Sequence, residues 1–188
     1  MLIRIFSFLL ETLFFVLIGA ALLRAWMNGC RVNMRAQPGS FVMAVTDWLV
    51  KPLRRILPKA FAQSRLDWAS VAAAAILALV YALISVVLSV LLAGVSDLTA
   101  FGLTTLLSVL FFAAKMLVRV ALQTTMIIVI GFAILSWVQP GSPTYSLLGR
   151  LTEPLLDPLR RVIPAIGGVD LSALVLILIL QIGLMVLG

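Results

Sequence analysis

Long apolar stretches alternate with shorter polar ones along this chain. A helix needs about 20 apolar residues to cross roughly 30 Å of hydrocarbon. Four stretches meet that length: Ile5 to Leu23, Trp68 to Ala93, Val118 to Val138 and Val169 to Leu187. Most of the charged residues lie between the first and second stretch and between the third and fourth. The pattern predicts an all-α membrane protein with about four spans.

One apolar segment, residues 98–117, does not fit a four-span scheme. It runs directly into the third predicted span, and a straight helix from Leu98 to Trp137 would be about 60 Å long at 1.5 Å per residue. A separate fifth span would put the two charged stretches on opposite sides of the membrane. We therefore expect either a helix along the membrane interface or a strongly tilted and bent helix.

A proline-bracketed arginine pair occurs twice, with five of seven positions identical. The copies are Pro52-Leu53-Arg54-Arg55-Ile56-Leu57-Pro58 and Pro158-Leu159-Arg160-Arg161-Val162-Ile163-Pro164. An aspartate follows each copy and opens an apolar run. This duplication predicts two tandem repeats, residues 1–95 and 96–188, each consisting of a span, a polar segment and a second span. Since both polar segments are basic, they are expected in the cytoplasm with both termini outside, so that the repeats run parallel.

The residues before each motif have helical periodicity. Apolar residues at 41, 42, 45, 48 and 49, and at 147, 148, 151 and 155, oppose polar neighbours such as Asp47 and Glu153. We expect two amphipathic helices at the membrane interface. Pro52 and Pro158 should end them, because a proline ring clashes with the preceding turn and supplies no amide donor. Pro58 and Pro164 would then keep the arginines in a short constrained turn.

Composition narrows the function. Hydrophobic residues make up 63% of the chain and the net charge is +7, against roughly 45 to 50% apolar residues in an ordinary soluble domain. The absence of histidine and the single Cys30 leave little material for metal, disulfide or acid–base chemistry. We therefore expect no enzyme activity and no cofactor. Basic residues beside apolar spans indicate topology and contact with anionic lipid headgroups rather than nucleic acid.

The repeated arginines have three possible roles. They can simply set topology, or pair internally with Asp67 and Asp170, which are also placed to cap the spans that follow. They can also clamp a lipid phosphate or an acidic partner segment, because guanidinium forms bidentate contacts. The repeated spacing between prolines favours a specific structural contact, and an internal pair is preferred over a ligand role. The candidate residues are Pro52, Arg54, Arg55, Pro58, Asp67, Pro158, Arg160, Arg161, Pro164 and Asp170.

A second candidate is an intramembrane pair. Glu11 lies within the first span, where an unpaired carboxylate is costly and therefore a functional hypothesis. Alignment of the repeats on Trp26 and Trp137 puts Glu11 and Arg119 at depths that differ by about 5 Å. We expect an ion pair between them. The alternative is that Arg119 and Lys115 extend to the outer headgroups.

Together these motifs resemble the YggT family of bacterial inner-membrane proteins. The resemblance rests on both arginine motifs and on the stretch from Leu151 to Pro158 that continues through Gly167-Gly168 to Asp170. The first copy departs from it, with residues 59–66 where the second has the glycine pair. The family resemblance implies links to osmotic and potassium homeostasis, cell division or cytochrome assembly. A scaffold or assembly protein would fit all of these family roles. We expect it to contact anionic lipids and either a protein partner or further copies of itself. The alternative is a channel or transporter component for potassium or osmotic balance.

Overall fold

The computed structural model describes residues 2–34, 38–56, 67–93, 102–161 and 171–188. Over those ranges the chain forms six helices: α1 Leu2–Gly29, α2 Gly39–Ile56, α3 Trp68–Ala93, α4 Leu103–Val138, α5 Pro143–Arg160 and α6 Leu171–Leu187. No strand occurs in these ranges. The predicted all-α class is confirmed.

Among the described residues, three helices are long and apolar enough to cross a membrane: Ile3–Gly29, Trp68–Leu92 and Leu103–Val138. The apolar helix α6 has 17 residues and is therefore about 26 Å long at 1.5 Å per residue. The fourth predicted span begins at Val169, which lies outside the described residues. The chain is a membrane protein, whereas four spans, parallel repeats and the side of each loop stay predictions.

Helix α4 is continuous over 36 residues, which corresponds to about 54 Å. Residues 103–117 belong to the same helix as the third predicted span. Of the two expectations for this segment, this agrees with one long helix, whose tilt and bend stay predictions. From residue 103 to residue 130 the sequence contains neither proline nor glycine, so nothing in it ends the helix. Val109, Ala113, Met116 and Val120 are buried at helical spacing and join the core formed with α1 and α3.

Two helical groups form the core. In the first group α1 packs on α3, and the small residues Ala73, Ala74 and Ala78 bring the two backbones close together. In the second, α4 packs on α5 and α6 through residues that include Phe132 and Leu156. A third cluster joins the ends of α1 and α2 to α4 and α5. Helices α2 and α5 each also lie against the long helices of their own half.

The prolines do not end the helices that precede them. Helix α2 continues through Pro52 to Ile56, and α5 continues through Pro154 and Pro158 to Arg160. The predicted helix ends at Pro52 and Pro158 are therefore wrong, and Arg54 and Arg55 lie on a helix rather than in a turn. A proline removes one intrahelical hydrogen bond, but packing offsets this cost, because Val50 and Leu156, each two residues earlier, are almost fully buried. Pro58 and Pro164 lie outside the described residues.

Candidate functional site

An arginine inside the first apolar helix is the centre of a charge network. Arg24 lies in α1 and is only 3% exposed. Its Nη1 donates to Thr46 Oγ1 and to Asp47 Oδ1, each at 2.8 Å. A buried guanidinium is costly unless it is paired and hydrogen-bonded, so these two contacts hold α2 against α1.

A second carboxylate approaches the same guanidinium from the start of α3. Asp67 Oδ2 lies 3.9 Å from Arg24 Nε, and this nitrogen has no hydrogen-bond partner among the described residues. Arg54, on α2, donates to the same carboxylate oxygen, as does Ser70 Oγ at 2.8 Å. The internal pair predicted for the first motif is therefore present between Arg54 and Asp67.

Asp67 also shapes the start of α3. Its backbone carbonyl accepts from the amides of Ser70 and Val71 at 3.0 and 3.2 Å. Burial alone would raise the pKa of the Asp67 carboxyl, but hydrogen bonds from Arg54 and Ser70 outweigh it and hold that pKa below its ordinary value. Asp67 is thus a buried carboxylate that keeps its negative charge at neutral pH.

Asp47 links the buried arginine to the surface. Its Oδ2 lies 2.8 Å from Nζ of the exposed Lys51, one helical turn further along α2. The hydrogen bond from Lys51 is the main reason that the pKa of Asp47 is lowered. The network therefore joins α1, α2 and the start of α3 through alternating charges: Lys51, Asp47, Arg24, Asp67 and Arg54.

The other residues of the first motif face outward. Arg55 is exposed and forms no ion pair with a carboxylate in the described ranges. Pro52 is exposed on the same helix. The two arginines of the first motif thus have different environments, since Arg54 belongs to the network and Arg55 does not.

The second motif has a different setting. Arg160 is the exposed last residue of α5, and Arg161 directly follows it. Arg160 lines a cavity of about 460 Å³ together with Trp137, Tyr145 and residues of α6. Pro158 is exposed within α5, whereas Asp170 lies outside the described residues. A pair between Arg160 and Asp170 stays a prediction.

Glu11 and Arg119 line one cavity without forming an ion pair. Both side chains are exposed and border a space of about 240 Å³ between α1 and α4, together with Thr12 and Gln123. No ion pair joins them in the described part of the chain. The predicted pair is therefore not formed in this structure, although both residues border the same space. Lys115 lies close to the last residue of the chain, because its Nζ donates to the carbonyl oxygen of Gly188 at 3.3 Å.

A sequence model of the CCB3/YggT family matches residues 1–91 and 111–188, which is most of the chain. The chain belongs to the CCB3/YggT family. It is similar to "Uncharacterized protein in proC 3'region" of Vibrio alginolyticus, 37% identical over 186 residues that cover 97% of this chain and 92% of that protein. It is also similar to "Uncharacterized protein YggT" of Escherichia coli strain K12, 31% identical over 178 residues that cover 94% and 85%. No solved structure matches the chain.

The network contains five residues of this CCB3/YggT protein that the sequence did not indicate as site residues: Arg24, Thr46, Asp47, Lys51 and Ser70. Arg24 directly follows the predicted first span, where a basic residue by itself indicates only topology. Thr46 and Asp47 are indicated by a longer alignment of the two repeats, which extends beyond the proline-bracketed motif. Thr46-Asp47 precedes Pro52 at the same distance as Thr152-Glu153 precedes Pro158. Both threonines are buried, at 4% and 1% exposed.

The two threonines of this CCB3/YggT protein have different hydrogen-bond partners, because the second half has no arginine equivalent to Arg24. Thr46 Oγ1 donates to the Val42 carbonyl at 2.7 Å while accepting from Arg24. Thr152 Oγ1 donates to the carbonyl of Leu148 at 2.9 Å in its own helix. Alignment on the tryptophans puts Leu135 where the first half has Arg24. Only the first copy therefore has an arginine from the neighbouring long helix at this position.

Residues that could hold a metal or perform redox chemistry are sparse. No group of three metal-ligating side chains occurs among the described residues. Cys30 is a free thiol just after α1, and burial raises its pKa, which lowers the thiolate fraction that reacts.

Proposed function

We propose that this protein is a non-enzymatic scaffold of the bacterial inner membrane. The motif-bearing segments lie on the cytoplasmic side and both termini lie outside, as the distribution of basic residues favours. The two segments matched by the family model, residues 1–91 and 111–188, each contain one arginine motif. This supports two parallel repeats that divide near residue 95.

The observation that carries the proposal is the network that fixes α2. A surface helix held to two spans by ion pairs with the buried side chains of Arg24 and Asp67 keeps one face directed outward in a fixed orientation. That outward face carries the exposed side chains of Phe41, Trp48, Lys51 and Arg55. Aromatic and basic residues together suit the headgroup layer and acidic segments of a partner. The scaffold therefore presents α2 to anionic lipids and to a protein partner.

Photocrosslinking in living cells tests this scaffold. A photoreactive amino acid replaces Trp48 on α2 or, as the matched control, Leu178, an exposed apolar residue of α6. We expect one discrete protein adduct at position 48 that weakens when Arg24→Gln releases α2, and no such adduct at 178. Equal adducts at both positions, or an adduct at 48 that is indifferent to Arg24→Gln, would contradict a fixed presenting surface.

A transport function is the second candidate, and the cavity beside Glu11 favours it. Its lining of Glu11, Thr12, Arg119 and Gln123 places polar groups between two membrane helices. An ion path needs such groups along its length. Rubidium flux into proteoliposomes tests it, with Glu11→Gln as the variant and exposed Arg150→Gln as the control. Flux lost only in Glu11→Gln would favour transport; no flux above that of empty liposomes would favour the scaffold.

A further inference from the structure

A large cavity in the second half of the molecule has no role in the scaffold described above. It lies where the last turns of α4, the first turns of α6 and the helix α5 meet, and its volume is about 460 Å³. This lies within the range of roughly 300 to 1,000 Å³ that is typical of small-molecule sites. Its wall includes Ile134, Trp137, Tyr145, Arg160, Leu174 and Ile177.

The cavity combines an apolar wall with one cationic group. Ile134 and Leu174 are each about half exposed, so the apolar side opens laterally, toward the lipid around α4 and α6. Tyr145 is stacked on Phe132, with ring centroids 5.1 Å apart and ring planes 11° from parallel, and forms a flat inner wall. Arg160 and Trp137 lie at the ends of α5 and α4, where hydrocarbon gives way to headgroups.

We propose that this cavity binds one anionic phospholipid. An acyl chain lies against Ile134, Leu174 and Ile177, and the phosphate is within reach of Arg160. Guanidinium donates to phosphate through short charge-assisted hydrogen bonds. Arg160 has an interaction within the protein, but a guanidinium carries five N–H donors and can serve a second acceptor. The site would bind lipid whether or not the protein acts as a scaffold.

At the junction of α1, α2 and α3, the described residues of the first half leave no comparable space. There Arg54 donates to the buried carboxylate of Asp67. The junction of α1, α2 and α3 around Ala21, Thr46 and Ala73 leaves no room for even a water-sized molecule. In the second half, by contrast, the cationic side chain of Arg160 borders an open cavity.

Native mass spectrometry of the full chain in detergent tests the site. Phosphatidylglycerol and phosphatidylcholine with the same acyl chains are titrated into the wild type, Arg160→Gln and Ala133→Phe, whose new ring would fill the cavity. Arg150→Gln on α5 and Leu178→Phe on α6 are matched controls away from the cavity. We expect tighter binding of phosphatidylglycerol by the wild type and a loss of roughly fivefold to tenfold in Arg160→Gln, with a smaller loss for phosphatidylcholine, because its choline offsets the charge of the phosphate. Ala133→Phe should weaken both lipids, and the controls should bind as the wild type does.

Three results would overturn the proposal. The first is equal binding of phosphatidylglycerol by the wild type and both cavity variants. The second is a loss in Ala133→Phe without any preference for the anionic lipid, which would indicate an apolar ligand. The third is a protein dimer that excludes lipid, which would indicate that a second copy covers the groove. If circular dichroism shows that Ala133→Phe does not fold, Leu174→Trp on the exposed wall replaces it with the same expected result.

Discussion

The two arginine motifs have nearly the same sequence but different surroundings. In the first half, Arg54 pairs with Asp67, and Arg24 from α1 joins both to Asp47 on α2. In the second half, Leu135 takes the place of Arg24, and Arg160 borders an open cavity. One substitution in the neighbouring long helix therefore accompanies the change from a closed polar junction to an open, mainly apolar one.

This difference shows that the motif alone does not determine its role. A buried arginine needs carboxylates and hydroxyls around it, and the first half supplies Asp47, Asp67 and Thr46. Without that arginine the second half has no buried charge to satisfy at this position, so the same motif can border a cavity. We infer that the first motif fixes the fold and the second is available to bind a ligand.

Removal of the central arginine should have the largest effect. Arg24→Gln leaves Asp47 and Asp67 without their shared partner, and we expect a loss of about 3 to 5 kcal/mol in the free energy of unfolding, as for a broken buried ion pair. Unfolding in mixed micelles measures it. The exposed Arg150→Gln is the control and should change stability by less than about 0.5 kcal/mol. Equal effects of the two variants would remove the contrast between the halves.

Removal of the charge of Asp67 should have the second largest effect on stability. Asp67→Asn keeps a hydrogen-bonding group for Ser70 but removes the charge, and we expect a loss of about 1 to 3 kcal/mol at neutral pH. Because the folded pKa of Asp67 lies below its ordinary value of 3.8, its stabilisation is fully present above pH 3.8 and is lost as the pH falls through the folded pKa. Unfolding measured from pH 7 to pH 3 should therefore show the gap between wild type and Asp67→Asn narrowing below about pH 4. A constant gap would mean that the charge is not the source of the effect.

A smaller loss is expected at Arg54, because its side chain is 51% exposed. Arg54→Gln should cost roughly 0.5 to 1 kcal/mol, since solvent screens its pair with Asp67. A double-mutant cycle of Arg54→Gln with Asp67→Asn isolates the coupling between them. Additive losses would indicate that Arg54 and Asp67 are not energetically coupled.

The smallest effect concerns the exposed charges one turn apart in α2 and α5. Asp47 and Lys51 attract each other at spacing i and i+4, whereas Glu153 and Asp157 repel at the corresponding positions. Asp157→Lys should stabilise the protein by about 0.3 to 0.5 kcal/mol, and Lys51→Asp should destabilise it by a similar amount. Thermal unfolding at low and high salt checks both, because screening should shrink each change. Changes that do not depend on salt would contradict an electrostatic cause.

The sequence predicted the helical class and the link between Arg54 and Asp67, because apolar length and repeated spacing are local features that survive folding. It did not predict that α2 continues through Pro52, since burial of Val50 compensates for the missing hydrogen bond only in the packed protein. Thr46 and Asp47 seemed to form a polar outer face, but Arg24 draws them toward α1. Arg24 is buried because three helices meet around it in the folded protein. The spacing of residues along a single helix cannot predict such a contact.

Hydrogen exchange of α2 and α5 in nanodiscs, measured in the wild type and in Arg24→Gln, tests the central claim most directly. If the network fixes α2, the variant should exchange much faster over residues 39–56 while residues 143–160 keep their wild-type rates. Unchanged exchange in α2, or an equal increase in both helices, would contradict the claim that the Arg24 network holds α2 in place and does not hold α5.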